Sequence, residues 1–67
     1  MYSSLTPGQR GIVDYVRAKG EVTVEEVTEH MSLTAEEFKR EFAVLRHMEV
    51  LKGLKKGSIV MYTLFDA

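Results

Sequence analysis

The stretch Thr34-Ala35-Glu36-Glu37-Phe38-Lys39-Arg40-Glu41-Phe42-Ala43-Val44-Leu45-Arg46-His47-Met48 decides how this chain folds. Phe38, Phe42, Leu45 and Met48 recur at helical spacing and, at about 100° per residue, fall on one stripe that must face a core. Thr34 and Glu37 supply the start: the threonine oxygen accepts from the third backbone N–H of the helix, and the glutamate reaches back to the threonine N–H, a capping box. The spacing predicts a helix over residues 35 to 49, ending where Val50 and Leu51 turn toward extended chain. The opposite stripe carries Glu36, Arg40, Ala43 and His47, with Lys39 and Arg46 on one flank and Val44 on the other. Those side chains are left to meet a partner.

Working backwards, Thr23-Val24-Glu25-Glu26 repeats the capping device, and Val24, Val27 and Met31 mark one face of a short helix over 24–31. Its acidic first turn suits the helix dipole. Only Ser32 and Leu33 separate it from the next helix, and two helices joined by so short a turn cross steeply. Earlier still, Thr6-Pro7-Gly8-Gln9 combines a cap, a proline at the first helical position and a capping-box partner. Ile12, Val13 and Val16, with Tyr15 beside them, continue that helix to Lys19, and Gly20 is a natural stop. Glu21-Val22 is too short to stand as a strand but can add a residue or two to a sheet built elsewhere.

Working forwards, Lys52-Gly53-Leu54 is a short strand signal, Lys56-Gly57 supplies a turn, and Ser58 to Phe65 is the most strand-like run in the chain. Alternation puts Val60, Tyr62 and Leu64 on the core face and Ile59, Met61 and Thr63 on the other. Ile59 and Met61 are apolar for a solvent face, so the N-terminal residues or another chain are expected to cover them in part. Residues 1–67 are thus read as one α+β domain, mainly helical: three helices closed by a two-stranded hairpin over 50–65.

In this order the pieces resemble the winged helix-turn-helix family over nearly everything from Leu5 to Leu64. Val22 to Val27, Leu33 to Phe38, and Leu45 to Leu64 with its closing Val60, Tyr62 and Leu64 carry the resemblance. It implies that the third helix lies in the DNA major groove and the hairpin, as wing, touches the adjacent backbone. Similar domains act as transcriptional regulators, usually as dimers, while others bind proteins instead. Two features depart from the family pattern: Val50 stands where a glycine often precedes the first wing strand, and the wing reads as very short.

Composition narrows the function classes. The chain has 67 residues, no cysteine, 45% hydrophobic residues and a formal net charge of -1. Neither a disulfide framework nor a thiolate metal site props up so small a core, and packing alone must hold it. Met1 to Gly11 lacks the apolar run of a signal peptide, and no stretch has the apolar length a bilayer needs, so the expected location is cytoplasmic, without membrane contact. Charge is unevenly placed. Seven glutamates lie between Glu21 and Glu41 against only Lys39 and Arg40, whereas Arg46, Lys52, Lys55 and Lys56 face only Glu49 between Phe42 and Gly57.

The candidate DNA-binding residues are accordingly Lys39, Arg40, Ala43, Arg46 and His47 on the third helix and Lys52, Lys55 and Lys56 on the wing. Arginine and lysine pair with phosphates or guanine edges, and a small alanine allows close approach. Each has a plainer reading: wing lysines keep a sheet edge from pairing, and Glu36 and Glu37 at the helix start oppose phosphate while serving as dipole and capping residues. Ser32 and Thr34 have hydroxyls for a phosphate beside the helix N-terminus, with Thr34 already needed as the cap. Glu25, Glu26 and Glu29 make an acidic face for solvent or for a basic protein patch. Glu26 and His30 amount to two metal ligands at most, and no nucleophile triad or phosphate loop is present, so neither an enzyme nor a cofactor is expected. The expected function is duplex DNA binding in a transcriptional regulator, with double-stranded DNA as partner and a homodimer to reinforce it. The alternative is a protein-interaction winged helix that uses the acidic second helix or the apolar outer hairpin face.

Overall fold

The computed structural model describes residues 4–67. Its elements run α1 (Pro7–Lys19), β1 (Glu21–Val22), α2 (Val24–Met31), α3 (Ala35–His47), β2 (Leu51–Lys56) and β3 (Ile59–Leu64). All three helices open with the expected capping box. Gln9 N donates to Thr6 Oγ1 at 3.2 Å, Glu26 N to Thr23 Oγ1 at 3.2 Å and Glu37 N to Thr34 Oγ1 at 3.0 Å, with Gln9, Glu26 and Glu37 accepting in return from the threonine N–H groups.

Helix α3 stops at His47, two residues before the expected end. The reason is a 6→1 and 5→2 pair of closing bonds: Val50 N donates to Leu45 O at 2.9 Å and Glu49 N to Arg46 O at 3.0 Å. That reversal needs a left-handed residue, and Glu49 takes it with φ of 60°. The left-handed position thus lies one residue before Val50, and a glutamate fills it where glycine is the unstrained choice. Glu49→Gly is therefore expected to raise stability by about 1 kcal/mol in a urea titration; a loss instead would mean that the Glu49 side chain itself secures the turn.

The sheet has the order β1-β3-β2, and the stub at Glu21 and Val22 joins it by pairing with Thr63 and Tyr62. The first wing strand is longer than the expected Lys52 to Leu54, running over Leu51–Lys56, because the β-branched and aromatic partner strand, Ile59–Leu64, draws the lysine-rich segment into its ladder. Lys56 pairs with Ile59, so the turn residues are Gly57 and Ser58 rather than Lys56 and Gly57. Gly57 adopts φ of 65°, which the first position of a tight hairpin turn of this kind requires.

The core joins Leu5, Ile12, Val13, Val16, Val22, Val27, Phe38, Leu45, Val50 and Leu51. Phe42 and Met48, expected in the same stripe, are half-buried at its rim. Tyr62 and Leu64 face the core as expected, but Val60 is 41% exposed because the hairpin runs on past the helices. Thr63, expected outward, is buried: its hydroxyl donates to the Gly20 carbonyl at 2.8 Å, beside the β1 pairing. Ile59 is 55% exposed and Met61 half-buried; any cover from residues 1–3 lies outside the described residues. Buried Gln9 ties α1 to α3 through Nε2, which donates to Glu41 Oε1 at 2.9 Å. Among the described residues no helix is long and apolar enough to cross a membrane.

Candidate nucleic-acid interface

Helix α3 is held from behind by aromatic rings. Phe38 stacks with Phe42 at 5.9 Å between centroids, and Tyr62 meets both edge-on, at 4.9 Å from Phe38 and 4.7 Å from Phe42. Such edge-to-face contacts favour one orientation of the rings. Helix and hairpin are thereby locked at one mutual angle. With Phe38 and Leu45 buried, Glu36, Lys39, Arg40, Ala43, Val44, Arg46 and His47 all stand exposed on the outer side. The structure thus brings every α3 candidate onto one solvent-facing surface, and Glu36, Lys39 and Arg40 line a shallow depression at its N-terminal end.

Glu37 is already engaged. Its Oε1 accepts from the Thr34 N–H at 2.8 Å. That backbone donor above all, helped by the Thr34 hydroxyl and the positive charge of Arg40, holds its carboxyl below the usual range. Glu36 is therefore the acid left beside Lys39 and Arg40 on the exposed face. The Thr34 oxygen is occupied as the cap.

The three wing lysines do not act as a group. Strand alternation sends Leu51, Gly53 and Lys55 to one face and Lys52, Leu54 and Lys56 to the other. The first face looks toward α3, since a Cβ at Gly53 would lie 3.7 Å from the Phe42 ring. Lys55 thus shares the side of the α3 cations, and among the described residues no hydrogen bond or ion pair engages it.

On the reverse face, Lys52 Nζ donates to Ala67 O at 3.0 Å, and Lys56 Nζ bonds both carboxylate oxygens of Glu21, at 2.8 and 3.0 Å. Sequence alternation already separates Lys55 from its neighbours. The part played by Glu21 carries no local signal, because it depends on β1 lying beside β3.

The histidines also divide. His47 is exposed near the end of α3, whereas the exposed His30 stacks on Tyr15 with centroids 4.1 Å apart. Among the described residues no group of three or more His, Cys, Asp or Glu side chains is placed to hold a metal ion.

Three helices, the second and third joined by a short turn, closed by a hairpin whose far strand also pairs with a stub after the first helix, define a winged helix-turn-helix fold. Solved structures share it. A cysteine-to-serine mutant of MarR from E. coli, complexed with operator DNA, superposes with a TM-score of 0.85 at 17% identity, over 92% of this chain and 46% of that one. ZitR from Lactococcus lactis in complex with DNA gives 0.83 at 18% identity, over 94% and 44%. Reduced HlyU from Vibrio cholerae gives 0.79 at 22%, over 88% and 61%. The chain spans about half the length of the MarR and ZitR chains it matches. No family model matches the sequence, and no curated protein matches it.

Proposed function

We propose that this chain is the duplex-DNA-binding part of a transcription regulator and is not an enzyme. The observation that carries the reading is the exposed row of Lys39, Arg40, Ala43, Arg46 and His47 on a rigidly backed helix, with Lys55 on the same side. The DNA complexes of MarR and ZitR, which share the fold, support it. In this reading residues 1–67 act as one domain. Helix α3 enters the major groove, Arg40 and Arg46 supply base-edge or phosphate donors, Ala43 permits close approach, and Lys55 at the wing meets the adjacent backbone. One copy offers few phosphate contacts, so two copies on neighbouring half-sites supply the affinity. A cytoplasmic location goes with that role.

Fluorescence anisotropy of a labelled duplex at two salt concentrations tests this. Each lost phosphate contact lowers the slope of log affinity against log salt by about 0.9. Lys55→Gln is therefore expected to weaken binding on all sequences alike and to reduce the slope by about that amount, while Lys52→Gln changes little. A wild-type chain that binds no duplex at low salt would end the proposal.

A further inference from the structure

We propose that Glu21 is a latch on the wing: its carboxylate holds Lys56 against the reverse face of the sheet and keeps it from phosphate. The inference rests on the DNA-binding reading and adds a residue that sets its strength. Lys56 precedes the turn residues Gly57 and Ser58, so it is the cation at the tip of the wing. Glu21 lies on β1, which is separated from β2 by β3, and the pair therefore bridges the whole width of the sheet. Glu21 pairs with Thr63 and Lys56 with Ile59, two positions of β3 that share the reverse face. The lysine lies back across the middle strand, away from the side that carries α3 and Lys55.

Both partners remain in water, with side chains 56% and 37% exposed. An ion pair of that kind is weak and opens readily, so DNA phosphates compete for Lys56. Glu21 opposes binding in two ways. It occupies the one tip lysine on that face, and once displaced it leaves a bare negative charge beside the DNA backbone. Removing the carboxylate frees a cation for a phosphate contact and deletes the repulsion.

The test uses the full chain, a labelled duplex and four variants: E21Q, K56Q, the double variant E21Q/K56Q, and E29Q, which removes the same charge from α2 without freeing Lys56. E21Q is expected to tighten binding by about three- to tenfold at low salt and to steepen the salt slope by about 0.9, the increment of one phosphate contact. E29Q should change affinity by less than about twofold at moderate salt, where distant charges are screened. K56Q alone should have little effect, yet in the E21Q background it should abolish the gain. Wild-type binding with E21Q no tighter than E29Q, or with K56Q equally harmful in both backgrounds, overturns the latch and leaves the DNA reading standing. Absence of binding by the wild type and every variant overturns both.

Discussion

Replacing Phe38 by alanine is expected to remove about 3–5 kcal/mol of stability, a large share of what so small a chain has. Phe38 has no exposed surface, and its ring joins the buried face of α3 to Phe42 and to Tyr62 on β3. Truncating a buried phenylalanine costs about 3–5 kcal/mol, the lost transfer energy plus the cavity left behind. A chain of 67 residues has roughly 3–10 kcal/mol of stability in total, and with no disulfide to constrain it, nothing offsets a loss of that size. Circular dichroism in a urea series reads the effect. Phe38→Leu, which keeps most of the volume, is expected to fold with a lowered midpoint. A Phe38→Ala variant within about 1 kcal/mol of wild type would mean that α3 is not anchored by this ring and that its outer face is not fixed as described.

Arg40→Glu is expected to weaken duplex binding by about ten- to a hundredfold at low salt without lowering the unfolding midpoint appreciably. Arg40 sits in the exposed stripe of α3, beside Lys39 and Ala43, and its loss removes a donor worth about 1–3 kcal/mol in a good base or phosphate contact. The new carboxylate then adds repulsion from the backbone. Stability changes little because the side chain is exposed; its charge only assists the cap at Glu37. Arg40→Lys separates two modes of contact, since a point charge suffices for phosphate but cannot reproduce a bidentate fork on guanine. Unchanged affinity in Arg40→Glu would remove α3 from the interface.

The parts of this fold that are legible in the sequence are those built from near neighbours. Thr6 with Gln9, Thr23 with Glu26 and Thr34 with Glu37 close their capping boxes over three residues, so each helix start is written locally. The same holds for the outward row on α3, because Phe38 and Leu45, once turned inward, leave Arg40, Ala43 and His47 no other direction. The end of α3 is less legible. The stop at His47 depends on a left-handed Glu49, and a glutamate gives no warning of that conformation where a glycine would. The first wing strand reads short for a related reason: Lys52, Lys55 and Lys56 are weak strand formers alone, and their ladder comes from the partner strand.

The charges of the wing depend on contacts further apart still. Glu21 and Lys56 are 35 positions apart, and Gln9 and Glu41 are 32 apart. No periodicity or spacing joins such residues. Short-range hydrogen bonding and helical geometry settle where the three helices begin and which side chains of α3 face outward. Which wing lysine stands free and which is tied down was decided when the chain closed and β1 came to lie against β3, because an ion pair forms only between groups that the finished sheet has already brought within reach.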